Sequence, residues 1–130
     1  MTHQNISIKS KIFVAGHNGM VGSAIVRSLN KKGYQSILCA SRDELDLTNQ
    51  TSVEAYLSKL QPDCIIIAAA KVGGIVANSS FPTEFLYDNT MIAFNLISAA
   101  SRQGVKKLIF HLTISAIARQ ISCHRLLLIS

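Results

Sequence analysis

The chemistry-bearing feature of this chain is a glycine loop, Gly16-His17-Asn18-Gly19-Met20-Val21-Gly22. The apolar run Lys11–Ala15 leads into it, and a segment with apolar residues every three or four positions leads out. A strand that turns sharply into a helix at such a loop is a phosphate cradle. Gly16 lets the chain leave the strand, Gly19 removes a side chain where a pyrophosphate must reach the backbone, and Gly22 lets the helix pack closely on the strand. The helix N-terminus then offers free N–H groups and a partial positive charge to the phosphates. Strand before and helix after are the context that makes the glycine spacing a dinucleotide signature rather than an ordinary turn.

The end of the second strand decides between the dinucleotides. An acid there hydrogen-bonds a ribose 2′-hydroxyl, and an arginine accepts a 2′-phosphate. This chain reads Cys39-Ala40-Ser41-Arg42, with Asp43 and Glu44 next. Arg42 can fork onto a phosphate and Ser41 can donate a hydroxyl, which favours NADP. The competing reading is a solvated arginine paired with Asp43 or Glu44. Asp46 is equally open: it could meet an adenine amino group, or it could favour the start of the next helix, with Thr48 or Asn49 as cap.

The elements that position these residues alternate. Strands are expected at Lys11–Ala15, Ser36–Ala40, Cys64–Ala70 and from Lys107 to Phe110. Helices are expected at Met20–Lys32 (face Val21, Ala24, Ile25, Ser28, Leu29), Gln50–Leu60 (face Val53, Tyr56, Leu57, Leu60) and Thr83–Gln103. The run CIIIAAA is apolar throughout, as in a strand buried on both faces. The expectation is an α/β fold: a Rossmann-type doubly wound parallel sheet, incomplete, with about four strands in the order 3-2-1-4 and one face short of helices. Residues 1–110 form the dinucleotide-binding portion, and 111–130 form an atypical tail expected to be the least regular part.

The chain of 130 residues is long enough for one domain and, at 48% hydrophobic, can build a core. Its net charge of +6 is spread out, which suits an anionic small ligand and argues against nucleic acid. Cys39, Cys64 and Cys123 are too far apart for a CxxC pair and read as buried thiols of a reduced cytoplasm, with no metal site. No signal peptide or membrane span is expected.

Three segments carry a resemblance: Ala15 to Ile25, Arg42-Asp43-Glu44-Leu45-Asp46-Leu47, and Ala68-Ala69-Ala70-Lys71-Val72-Gly73-Gly74-Ile75-Val76-Ala77-Asn78, with Asn89 and Asn95 further on. From Lys11 to Phe110 the chain resembles the N-terminal part of the extended short-chain dehydrogenase/reductase (NAD-dependent epimerase/dehydratase) family, and more narrowly its GDP-L-fucose synthase branch, which epimerises and reduces GDP-4-keto-6-deoxymannose. The resemblance implies NADPH as cofactor, a GDP-sugar as substrate and a homodimer for the family. It implies that Gly16, His17 (through its backbone), Asn18, Gly19, Met20, Val21 and Gly22 hold the pyrophosphate and that Arg42, beside Ser41, meets the 2′-phosphate. Asp43 to Leu47, with Asp46 and Leu47, would border the adenosine, Ala68, Ala69, Ala70 and Lys71 would run beside the cofactor, and Val72–Asn78 would face the active site.

The resemblance stops between Phe110 and His111. The family continues its strand with a catalytic serine and an epimerisation cysteine, and here Ile114 and Ser115 stand in register with them. The family also needs Tyr-x-x-x-Lys as proton donor, yet Tyr34, Tyr56 and Tyr87 are followed four residues on by Leu38, Leu60 and Met91. Cys123-His124 is a poor nucleophile–base pair, because neighbours in sequence diverge on strand or helix. No catalytic residue is therefore assigned. The expectation is an inactive NADP-binding portion, from a truncated, frameshifted or alternatively spliced gene. The alternatives are a different nucleotide-sugar epimerase/dehydratase, or a non-enzymatic dinucleotide-binding module that pairs with a complementary chain through an unfinished sheet edge.

Overall fold

The computed structural model describes residues 6–69, 82–113 and 124–129. The elements are β1 (Lys11–Ala15), α1 (Met20–Lys31), β2 (Ser36–Leu38), α2 (Gln50–Leu60), β3 (Cys64–Ile67), α3 (Pro82–Arg102), β4 (Lys107–Thr113) and β5 (His124–Ile129). The alternation expected from the sequence is present, and β1 to β4 are parallel.

The strand order corrects the expectation. The sheet runs β2-β1-β3-β4-β5, so β3 lies beside β1 and not beyond β2. Burial gives the reason. All four residues of β3 are buried, whereas the three of β2 are only half-buried. A strand buried on both faces belongs inside a sheet, and the short, wetter strand belongs at its edge. Ile12 pairs with Ile37 on one side and Cys64 on the other, so β1 is flanked on both edges.

The described part of the tail joins the sheet. Residues 111–113 continue β4, and His124–Ile129 add β5 antiparallel along it, with Leu108 opposite Ile129 and Thr113 opposite His124. The outer edge of β4 is thus occupied from within the chain and is not open to a complementary chain. The tail contains regular structure because Leu126-Leu127-Leu128-Ile129 is a strand-length apolar run; no turn residue before it announced the pairing.

Side-chain alternation along β1 and β3 divides the core. Phe13, Ala15, Ile65 and Ile67 face α2 and α3, where they meet Val53, Leu57, Ile92, Leu96 and Ala99. Ile12, Val14, Cys64 and Ile66 face α1, with Ile25, Val26 and Leu29. Among the described residues α1 alone supplies a helix to that second face, which is the shortage the sequence implied. Its inward stripe is Gly22, Ile25, Val26 and Leu29; Ala24 and Ser28, expected on that stripe, are exposed. Burial pushes the Cys64 thiol up to about 11, as suits an inert core cysteine, and raises that of half-buried Cys39 as well.

On the other face, Tyr56 tilts against Phe13 with ring centroids 5.6 Å apart and donates its hydroxyl to the Cys39 carbonyl at 3.5 Å. Arg102 forms an ion pair with Glu54, and Gln103 Nε2 donates to the Glu54 carbonyl at 3.0 Å, which joins α3 to α2.

Asp63 registers the N-terminal ends of the strands. Its carboxylate accepts the Lys11 N–H at 2.9 Å and lies 3.5 Å from Lys106 Nζ, while its backbone bridges Lys11 and Lys107. The Lys11 N–H bond holds its carboxyl below the usual carboxylate range against the opposing effect of burial, with the Lys106 and Lys11 charges adding a smaller pull the same way. A carboxylate depressed in the folded state stabilises fully above its unfolded pKa of about 3.9 and loses that contribution as pH falls through the folded value. Because Asp63 is a third exposed, Asp63→Ala should cost only about 1 kcal/mol at neutral pH. Urea unfolding at a series of pH values should show wild type and variant converging below about pH 4.

Candidate functional site

Strand order reverses between β1 and β3: α1 leads from β1 to one side and α2 carries the chain back to the other. Such a switch point leaves a crevice at the carboxyl ends of the strands, where open α/β sheets bind ligands. The glycine loop stands there, and β3 supplies its floor, with the Ala68 N–H donating to the Ala15 carbonyl at 2.9 Å.

The three glycines differ in what demands them. Gly16 has φ +86°, and a Cβ there would lie 2.6 Å from the Ala69 backbone. A Cβ on Gly22 would lie 1.8 Å from the Gly16 carbonyl oxygen, so the first turn of α1 rests directly on the loop. Gly19 is different. Its backbone is extended, at φ −75°, and among the described residues a Cβ would meet nothing closer than the Gly16 oxygen at an ordinary 3.5 Å. Neither conformation nor packing against the described residues requires glycine at 19. The empty space over it is what a phosphate approaching the backbone would use.

The α1 N-terminus is built to match. Gly19 caps it without any side-chain hydrogen bond, and its first turn carries no acid. α2 shows the contrast, because Asn49 Oδ1 accepts the Ser52 N–H at 3.0 Å. Among the described residues no side chain meets the positive end of α1, which is the kind of end an anion can bind. Asn18 and Met20 are exposed beside it, Met20 at 89% and unusually so for a large apolar side chain, while His17 and Val21 are half-buried.

Beyond β2, Ser41 and Glu44 bond reciprocally. The Ser41 N–H donates to Glu44 Oε2 at 2.7 Å and the Glu44 N–H donates to Ser41 Oγ at 3.3 Å. Arg42 and Asp43 are exposed between them, and among the described residues Arg42 forms no ion pair. These Ser41 bonds keep the Glu44 carboxyl below its ordinary range, and the charge of His17 adds to the effect, which places the glycine loop near this turn. Asp46 Oδ1 accepts the Thr48 hydroxyl at 2.6 Å and its N–H at 3.0 Å, and both lower its pKa. Asp46 thus shapes the turn before α2, and the cap itself is Asn49.

Two residues matter more than the sequence reading assigned. Glu44 is the first; its signal was the Ser-x-x-Glu spacing of a capping box. Asn95 is the second. It is completely buried on α3 and donates to the Leu47 carbonyl at 3.0 Å, which fixes half-buried Leu47 at the site's rim. Its signal was an amide on the apolar stripe Ile92, Leu96, Ala99. Ala70, Lys71, Val72–Asn78, Ser115 and Cys123 lie outside the described residues. Tyr34 and Tyr56 pack against the two faces of the core, and Tyr87 is exposed on α3. A shallow cavity of about 380 Å³, lined by Ser58, Asp63, Gln103 and Lys106 among others, lies at the opposite end of the sheet.

Sheet, crevice and glycine loop together are those of a nucleotide-binding α/β domain. Residues 12–121 match the NAD dependent epimerase/dehydratase family, and the chain belongs to it. GDP-L-fucose synthase 1 of Arabidopsis thaliana is 50% identical over 101 residues, which cover 78% of this chain and 31% of that protein. Among solved structures, DdhaC is 40% identical with a TM-score of 0.84, covering 90% of this chain and 34% of its own. MlghC, a GDP-mannoheptose C4 reductase from Campylobacter jejuni with NADP bound, is 34% identical with a TM-score of 0.77, covering 82% and 33%. The chain thus spans about a third of the length of the relatives it matches.

The unequal glycines separate folding from binding. Gly22→Ala forces a backbone clash and should destabilise the chain by about 2 kcal/mol or more. Gly19→Ala should stay within about 1 kcal/mol of wild type, the range of a cap substitution, yet lose most of its dinucleotide affinity. Thermal melts paired with cofactor titration would reveal both; equal stability loss in the two variants would contradict the assignment.

Proposed function

We propose that this chain is the NADP-binding portion of a GDP-sugar epimerase/reductase, of the kind that converts GDP-4-keto-6-deoxymannose to GDP-L-fucose. The observation that carries the reading is the open space over Gly19 at the uncapped N-terminus of α1. Residues present there fit the cofactor. The N–H groups of the glycine loop and first turn would hold the pyrophosphate, and Arg42 would fork onto the 2′-phosphate beside Ser41. Leu47 would pack against the adenosine, and Ala68 and Ala69 would line the crevice floor. Ala70 and Lys71 continue that stretch in sequence. The dinucleotide, when bound, supplies the hydride.

Two of the relatives named above support the nucleotide-sugar class, being a GDP-L-fucose synthase and a GDP-mannoheptose C4 reductase. Residues 1–110 would form the binding portion, and 111–130 would follow a course of their own. These 130 residues contain no tyrosine with a lysine four positions on, so they lack the tyrosine that would give a proton to the substrate oxygen as hydride arrives. We therefore expect binding without turnover. Cytoplasmic operation is part of the same proposal; no helix among the described residues is long and apolar enough to cross a membrane.

Cofactor preference tests the reading. A charge-assisted arginine–phosphate pair contributes about 1.5–3 kcal/mol, or roughly tenfold to a hundredfold in affinity. The purified chain should bind NADPH more tightly than NADH by about that factor. Arg42→Ala should remove most of the difference and leave NADH nearly unchanged. With NADPH and the 4-keto sugar nucleotide added, absorbance at the nicotinamide band should not fall faster than in a protein-free control. Equal affinities in wild type would reject the role of Arg42, and measurable oxidation would reject binding without turnover.

A further inference from the structure

We infer that Glu44 is the positioning residue for Arg42: its carboxylate closes the 41–45 turn and so keeps the guanidinium unpaired and available to a phosphate. The inference rests on the dinucleotide reading above and extends it to a residue that makes no contact with the ligand.

An acid two residues from a phosphate-binding arginine has three options. It could pair with the arginine and quench it, it could repel the incoming phosphate, or it could bond elsewhere. The geometry selects the third. Glu44 Oε2 takes the Ser41 N–H at 2.7 Å while Ser41 Oγ takes the Glu44 N–H at 3.3 Å, the reciprocal arrangement of a capping box closed on a single turn. Backbone bonds run in parallel, from the Glu44 and Leu45 N–H groups to the Ser41 carbonyl at 3.2 and 2.9 Å.

Both ends of the turn are anchored. Leu45 is 5% exposed within the core, and Asn95 holds the Leu47 carbonyl from α3. Upstream, Tyr56 holds the Cys39 carbonyl. Arg42 therefore projects from a backbone fixed on either side, and ordering it on binding costs less than ordering a free loop. The negative charge of Glu44 is meanwhile offset by the Ser41 N–H.

The test is titration of NADPH and NADH into wild type, Glu44→Ala, Glu44→Gln and Arg42→Ala, with amide exchange at Ser41 as an independent readout. Glu44→Ala should weaken NADPH by roughly threefold to tenfold, leave NADH unchanged and speed exchange of the Ser41 amide. Glu44→Gln, whose amide oxygen can still accept that N–H, should restore NADPH binding. If both substitutions tighten NADPH, Glu44 is a repelling charge and the inference is overturned. It is also overturned if Glu44→Ala weakens both cofactors alike, or changes neither. Failure of the underlying reading looks different: wild type itself would show no preference for NADPH, whereas failure at Glu44 alone leaves that preference, and its loss in Arg42→Ala, intact.

Discussion

The site depends on one contact, the seating of Gly22 on the Gly16 carbonyl. A Cβ would need to stand 1.8 Å from that oxygen, so α1 can start where it does only with hydrogen at this position. The contact sets the direction of the helix axis over β1. That axis aims the unbonded N–H groups of the first turn at the crevice between β1 and β3. The left-handed turn at Gly16 and its close approach to Ala69 serve the same end, by letting the loop leave β1 flush against the next strand. Chemistry at this site is largely backbone chemistry, which is why so few side chains are needed to define it.

Around that cradle, side chains supply selection. Glu44 closes one turn, Asp46 and Thr48 close the next, and Asn95 reaches from α3 to the Leu47 carbonyl within the second. Among the described residues no donor meets the buried Asn95 Oδ1. An orphaned acceptor of this kind is costly, and the chain tolerates it at the point where the longest helix meets the rim of the site. The helices on that face form a packed frame, and the turns between Ser41 and Thr48 hang from it.

Legibility in the sequence followed locality. The glycine loop, the helices α2 and α3 to within a residue, and the position of Arg42 were readable, because each is specified by neighbours in the chain. Strand order was not, because which edge β3 joins is decided by long-range burial. β5 was missed for a different reason: its partner is the strand just before it, yet no turn residue between the two marks a hairpin. The α1 stripe was read one position off, since Gly22 and Val26 pack inward where Ala24 and Ser28 had seemed to fit the period. Glu44 was legible yet was weighed only as a charge. Its hydrogen-bonding role needed the Ser41 geometry to become apparent.

The two faces of the sheet are unequal, and the phosphate loop belongs to the thinner one. α2 and α3 bury complete side chains such as Val53, Leu57 and Leu96, whereas the inward residues of α1, apart from Gly22, are only half-buried. Local opening in proteins starts where burial is least, so α1 is the segment whose folding is most nearly balanced. Its N-terminus is also where an anion would bind. Mass action then couples the two events: a dinucleotide held at a hundredfold excess over its dissociation constant adds about 2.7 kcal/mol to whatever state binds it. For this fold a bound dinucleotide would act as a missing piece of the interior, and how much of the chain is folded would become a function of the cofactor concentration around it.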